Sequence, residues 1–116
     1  MAVIDPTPVF KDNLALMANI DSKGIEGIAR IDLRNGSGAI VGTIENAPGK
    51  QGSLAVYHYL KQAFGTLDVK AAEHALAVFG EHTADARNRP GAHPNVDRLL
   101  AIVASGEPLT IEEVAA

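Results

Sequence analysis

The hydrophobic positions change period along the chain, and each change predicts an element. Phe10, Leu14 and Met17 recur at i, i+4 and i+7, the spacing of one helical face. Thr7 as N-cap and Pro8 at the first helical position place that helix over Pro8 to Asn19. Asp21 to Gly24 reads as the turn that ends it. Ala29, Ile31 and Leu33 then alternate with Arg30, Asp32 and Arg34, the period of a half-buried strand. Asn35-Gly36-Ser37-Gly38 is a hairpin signal because Asn and Gly accept positive φ. Ala39 to Ile44 is the predicted return strand.

The second half reads as helical. Asn46 to Gly52 is too rich in Gly and Pro for regular structure. Ser53 is the predicted N-cap of a helix whose stripe is Val56, Tyr57, Leu60 and Phe64, closed by Gly65. Asp68 caps a longer predicted helix through Val69, Ala72, Leu76 and Phe79 to about Arg89-Pro90-Gly91. Gly80 is read as a tolerated interior glycine, at a cost of about 1 kcal/mol. Asn95 caps a further helix with Val96, Leu99, Leu100 and Val103 on one face, closed by Gly106. Thr110-Ile111-Glu112-Glu113 has the form of a capping box and predicts a last helical turn.

This order predicts an α+β fold, one β-hairpin packed against about four helices. One domain is expected over 1–116, with 1–6 a loose lead-in and 107–116 a short tail. Two strands alone are marginal in water, so other elements must cover one face or a partner strand must extend the sheet.

Composition narrows the function classes. At 116 residues the chain is long enough for one core without disulfides. A net charge of −4 argues against a dedicated nucleic-acid binder. No apolar run reaches a membrane span, and no signal-peptide pattern opens the chain, so the expectation is a cytoplasmic protein. The absence of cysteine excludes thiol nucleophiles and cysteine-ligated metals.

Two segments carry candidate chemistry. Gly49, Lys50, Gly52 and Ser53 open a helix, where free N–H groups and the positive dipole end attract anions. The spacing is not that of a P-loop. A glycine turn with a solvated lysine accounts for the same residues. Arg87, Arg89 and His93 crowd a Pro-stiffened loop, with Arg98 one turn into the next helix. Arginine suits phosphate or carboxylate through its bidentate fork. Equally, Asp85 and Asp97 could pair these cations locally. If the two segments meet in space, they make one anion site. His74 and His82 lie too far apart on one helix to share an ion. His82, Asp85 and a folded-back His93 form the only metal set worth weighing, and ordinary histidines explain it as well. No metal, no cofactor and no catalytic constellation is expected. Of Tyr57 and Tyr59, one is expected to pack and the other to be exposed.

The stretches Phe10 to Leu14, Ile44 to Leu54, Glu81 to Arg87 and Pro90 to Leu99 resemble a family of small bacterial proteins known only as a domain of unknown function. The resemblance runs from about Phe10 to Gly106. It implies a free-standing bacterial domain and supplies no activity.

The leading expectation is therefore a non-enzymatic binding or regulatory module. Its sharper form is a phosphate or carboxylate site for a small ligand or a protein partner. The alternatives are a small enzyme with His93 or His82 as general acid/base, and an assembly protein whose exposed sheet edge pairs in a homodimer. No nucleic acid or membrane partner is expected.

Overall fold

Asn35 organises the hairpin. Its Oδ1 accepts from the Ser37 and Ala39 N–H groups and the Ser37 hydroxyl, and Gly38 takes φ +86°. The flanking strands are β1 (Ile28–Arg34) and β2 (Ile40–Glu45), antiparallel with Ile31 opposite Ile44. The computed structural model describes residues 3–21 and 24–116. Ser22 and Lys23 of the expected Asp21–Gly24 turn lie outside the described residues.

The helices are α1 (Phe10–Ile20), α2 (Gln51–Phe64), α3 (Val69–Val78), α4 (Glu81–Asn88) and α5 (Pro94–Ser105). The last segment is not a helical turn. It is β3 (Thr110–Ala115), which pairs antiparallel with β1 and gives the sheet order β2-β1-β3. The strand that extends the hairpin thus comes from this chain. Leu33 faces Ile111 across that ladder. The apolar gain of burying Ile111, about 2 kcal/mol, goes with pairing and not with a cap. The fold is α+β as expected, with five helices and three strands.

α2 is the central helix, packed on all three strands and on α1 and α3. Leu54, Val56, Tyr57 and Leu60 are fully buried on it, against Ile31, Leu33 and Ile111 of the sheet. Both tyrosines are buried, Tyr59 at 3% exposure, so neither is the exposed one expected. The reason is that α2 is covered on more than one side.

Four boundaries differ from expectation. α1 begins at Phe10 with Val9 as N-cap and no side-chain cap, because Thr7 folds back onto Val9 and Asn13 instead. α2 begins two residues before Ser53, since Gly49 at φ +83° completes the reversal and Lys50 becomes the N-cap. The long helix is broken at Gly80, which takes φ +57°. A Cβ there would stand 2.7 Å from the Pro8 carbonyl oxygen and 2.9 Å from the Phe10 nitrogen. The break lets the start of α1 lie against the chain. α5 starts at Pro94 with His93 as N-cap, two residues earlier than an Asn95 cap allows. Asp68 and Gly106 cap as predicted.

Residues before α1 are anchored. Ile4 is buried, and its N–H donates to the Tyr59 hydroxyl at 2.9 Å. No helix among the described residues is long and apolar enough to cross a membrane.

Candidate functional site

The starts of α1, α2, α4 and α5 converge on one cavity of about 460 Å³. Gly49, Lys50, Gly52 and Ser53 line it from the α2 side. His93, Pro94, Asn95, Val96 and Arg98 line it from the α5 side, with His82 from α4 and Phe10 from α1. The two segments singled out in the sequence therefore share a wall. Arg87 and Arg89 do not. Arg87 is exposed near the C-terminus of α4, where a cation suits the negative end of the dipole. Arg89 grips Asp85 through Nε at 2.8 Å and Nη2 at 2.5 Å. Local charge density suggested both arginines, and Asp85 takes one of them away.

Arg98 stands where they were expected. Its Nη1 donates to Asn95 Oδ1 at 2.9 Å and to the Tyr57 hydroxyl at 3.2 Å. Its guanidinium carbon lies 5.7 Å from the Tyr57 ring centroid. The guanidinium occupies the space a side chain at Gly42 of β2 would fill, with Nη2 2.7 Å from the Cβ position. Among the described residues no carboxylate lies within ion-pair distance of Arg98 or Lys50. Arg98 is thus positioned by neutral acceptors and an aromatic face, and its charge stays uncompensated. The Tyr57 hydroxyl also donates to the Asn95 carbonyl at 2.5 Å. Burial pushes its pKa up to about 12, against the opposing pull of Arg98.

The backbone adds donors. The first helical bond of α2 runs from the Leu54 N–H to the Lys50 carbonyl, so the N–H groups of Gly52 and Ser53 precede the ladder. α2 and α5 both lack a side-chain cap. An anion in the cavity would meet N–H groups, a positive dipole end and two cationic side chains together.

Three carboxylates stand just behind this wall, and Glu81 and Asp85 lie within ion-pair distance of its His82 and His93. Glu81 accepts the Phe10 N–H at 3.1 Å, and Asp97 accepts the Gly91 N–H at 2.9 Å. Asp85 lies between Arg89 and His93, with His93 Nε2 2.6 Å from its Oδ2. The Arg89 fork, then His93, hold its pKa well below the usual carboxylate range. The floor is aromatic: Phe10 stacks on Phe79 at 5.2 Å and meets His82 edge-on at 5.0 Å. The His82 and His93 rings lie 5.2 Å apart, so His93 does fold back toward α4. No group of three metal-ligating side chains is found among the described residues.

A second cluster lies on the other side of α2 and was missed in the sequence. His58 Nε2 is 2.7 Å from Asp21 Oδ2, and its Nδ1 bonds Glu113 of β3. The ring thus joins the residue that closes α1, the middle of α2 and the strand β3. Nothing in the local spacing of residues 21, 58 and 113 signals this meeting, because β3 was not read as a strand. His74 lies elsewhere again: its Nε2 is 2.7 Å from the Tyr59 hydroxyl, and burial lowers its pKa.

No curated protein and no solved structure matches the chain. The family model described as an uncharacterized protein conserved in bacteria (DUF2322) matches residues 10–113, and the chain belongs to that family.

Proposed function

We propose that this chain is a binding module for a small organic anion, a phosphate or carboxylate, held in the cavity between α2 and α5. One observation carries the reading. Fifteen residues line the cavity, with Lys50, His82, His93 and Arg98 among them and no Asp or Glu, in a chain of net charge −4. Carboxylates outnumber cations over the molecule, and here they are displaced to the second row. The candidate set is accordingly Gly49, Lys50, Gly52, Ser53, His93 and Arg98.

Titration of isotope-labelled protein with inorganic phosphate tests it. The amides of Gly52 and Ser53 and the Arg98 Nε–H should shift together and saturate. Arg98→Ala should weaken the binding at least tenfold, and an unshifted spectrum at tens of millimolar phosphate would refute the site.

The Asp85–His93 pair favours a second reading, acid/base catalysis on the bound anion. In the tautomer that donates Nε2–H to Asp85, the Nδ1 lone pair of His93 is the base. Turnover of a phosphate ester that is lost in His93→Gln, with phosphate binding kept, would establish it. An ester bound but unchanged by the wild type would remove it.

A further inference from the structure

Asp85 and His93 form a dyad beside the cationic cavity, built from two elements. Asp85 stands on α4, and His93 is the N-cap of α5. Arg89 fixes Asp85 from one side through Nε at 2.8 Å, and His93 Nε2 meets the same carboxylate at 2.6 Å. The carboxylate does not line the cavity, whereas His93 does. The other ring nitrogen, Nδ1, bonds nothing among the described residues and caps no helix. No buried side-chain nitrogen or oxygen among those residues lacks a partner, so the unpartnered Nδ1 is open to the surrounding space. The other histidines lack this arrangement. His58 has a carboxylate at each nitrogen. His74 meets the Tyr59 hydroxyl and lies outside the cavity. His82 lines the cavity, but its Nε2 stands 3.8 Å from Glu81, beyond hydrogen-bond reach.

We infer that His93 is a phosphoryl acceptor, taking the group on Nδ1 from a small donor of high transfer potential, an acyl phosphate or a phosphoramidate. The inference rests on the anion site proposed above and gives that site a covalent step. In the tautomer that donates Nε2–H to Asp85, Nδ1 is the nucleophile. Its lone pair forms the N–P bond as the bond from phosphorus to the leaving group breaks. The leaving group departs as a carboxylate or, from the ammonium form of phosphoramidate, as ammonia. Nε2 keeps its proton, so the step needs no further co-reactant. Attack through Nδ1 leaves positive charge on the ring, and Asp85 stands where that charge develops. The incoming phosphoryl oxygens face a wall that carries Lys50 and Arg98 and no carboxylate.

Incubation of the full chain with potassium phosphoramidate, read by intact mass, fragment mapping and phosphorus NMR, tests this. One acid-labile phosphoryl group should appear at His93, on Nδ1, ahead of the other histidines. The chain unfolded in denaturant, with every imidazole open, should lose that preference. Arg98→Ala should slow labelling of His93 about a hundredfold, the effect of removing one donor to a developing oxyanion. Asp85→Asn should slow it as well and free Nε2 for labelling. An unchanged rate and isomer in Asp85→Asn would overturn the dyad's part and the inference with it. So would His82 labelled as fast as His93, or the Nε2 isomer in the wild type. Labelling untouched by Arg98→Ala would also overturn it, since the cationic wall would then be idle. Inorganic phosphate that shifts the Gly52 and Ser53 amides, with no label at His93, would overturn the acceptor and leave the anion site standing. Neither response would overturn both.

Discussion

Two walls of α2 treat positive charge differently, although histidines on both have a carboxylate within ion-pair distance. On one side His82 and His93 share a cavity with Lys50 and Arg98, and no carboxylate lines the space. On the other, His58 sits between Asp21 and Glu113, and Glu26 lines the same hollow. A histidine matched by carboxylates is spent on holding α1, α2 and β3 together. A cation held by neutral acceptors, as Arg98 is, keeps its field unmatched. Charge on the surface is therefore less informative than what positions it.

The sharpest way to break the contrast is to displace the start of α1, which lies against Gly80. Gly80→Ala puts a Cβ against the Pro8 and Phe10 backbone at a positive φ, and neither backbone atom can move alone. A loss of about 2–4 kcal/mol in urea unfolding is expected, with the start of α1 displaced. His58→Ala should come next, at about 1–3 kcal/mol, because two carboxylates lose the group they hold. Phosphate binding measured in the same variant should be unchanged, and a loss of binding would merge the two walls into one site.

Gly42→Ala sharpens the contrast from the opposite direction. The new Cβ meets only the tip of Arg98, so stability should move by less than about 1 kcal/mol. The guanidinium must leave, and phosphate affinity should fall about tenfold, roughly 1.4 kcal/mol. Wild-type affinity in this variant would show that the neutral cradle of Arg98 is immaterial.

The smallest effects are those of pH. His74 is held neutral by burial, accepting from the Tyr59 hydroxyl that in turn accepts from the Ile4 N–H. Its pKa is lower folded than unfolded, so the unfolded chain takes up the proton first. Stability from this group is present above about pH 6.5 and declines as pH falls through the folded value. Hydrogen exchange at Ile4 should accelerate over the same range, and exchange independent of pH after correction for the intrinsic rate would contradict the relay. Tyr57 is the alkaline counterpart. Its stabilisation is full below about pH 10 and lost as pH rises towards 12, so its ionisation, followed by absorbance, should coincide with unfolding.

Legibility in the sequence follows the range of the interactions. The hairpin at Asn35 and the cap at Asp68 were readable because the side chain bonds the backbone within four residues. β3 was not, because the Thr110 pattern is equally a cap locally and its register is set by β1 far earlier in the chain. Gly80 looked like a tolerated glycine because its clash lies with Pro8 and Phe10, seventy residues away. The site was half readable. Lys50, Ser53 and His93, which line the cavity, stand out by local composition, and so do Arg87 and Arg89, which lie outside it. Arg98 drew less notice because what makes it available is an absence at Gly42 and a ring at Tyr57, on two other elements.

The seating of Arg98 over Gly42 also sets a rule for substitution among relatives. A homologue with any side chain at position 42 has no room for a guanidinium there and should have lost arginine at 98. One that keeps Arg98 should keep glycine opposite. The two positions are then a single inherited character, and sequences that separate them would mark descendants in which this cavity has changed its use.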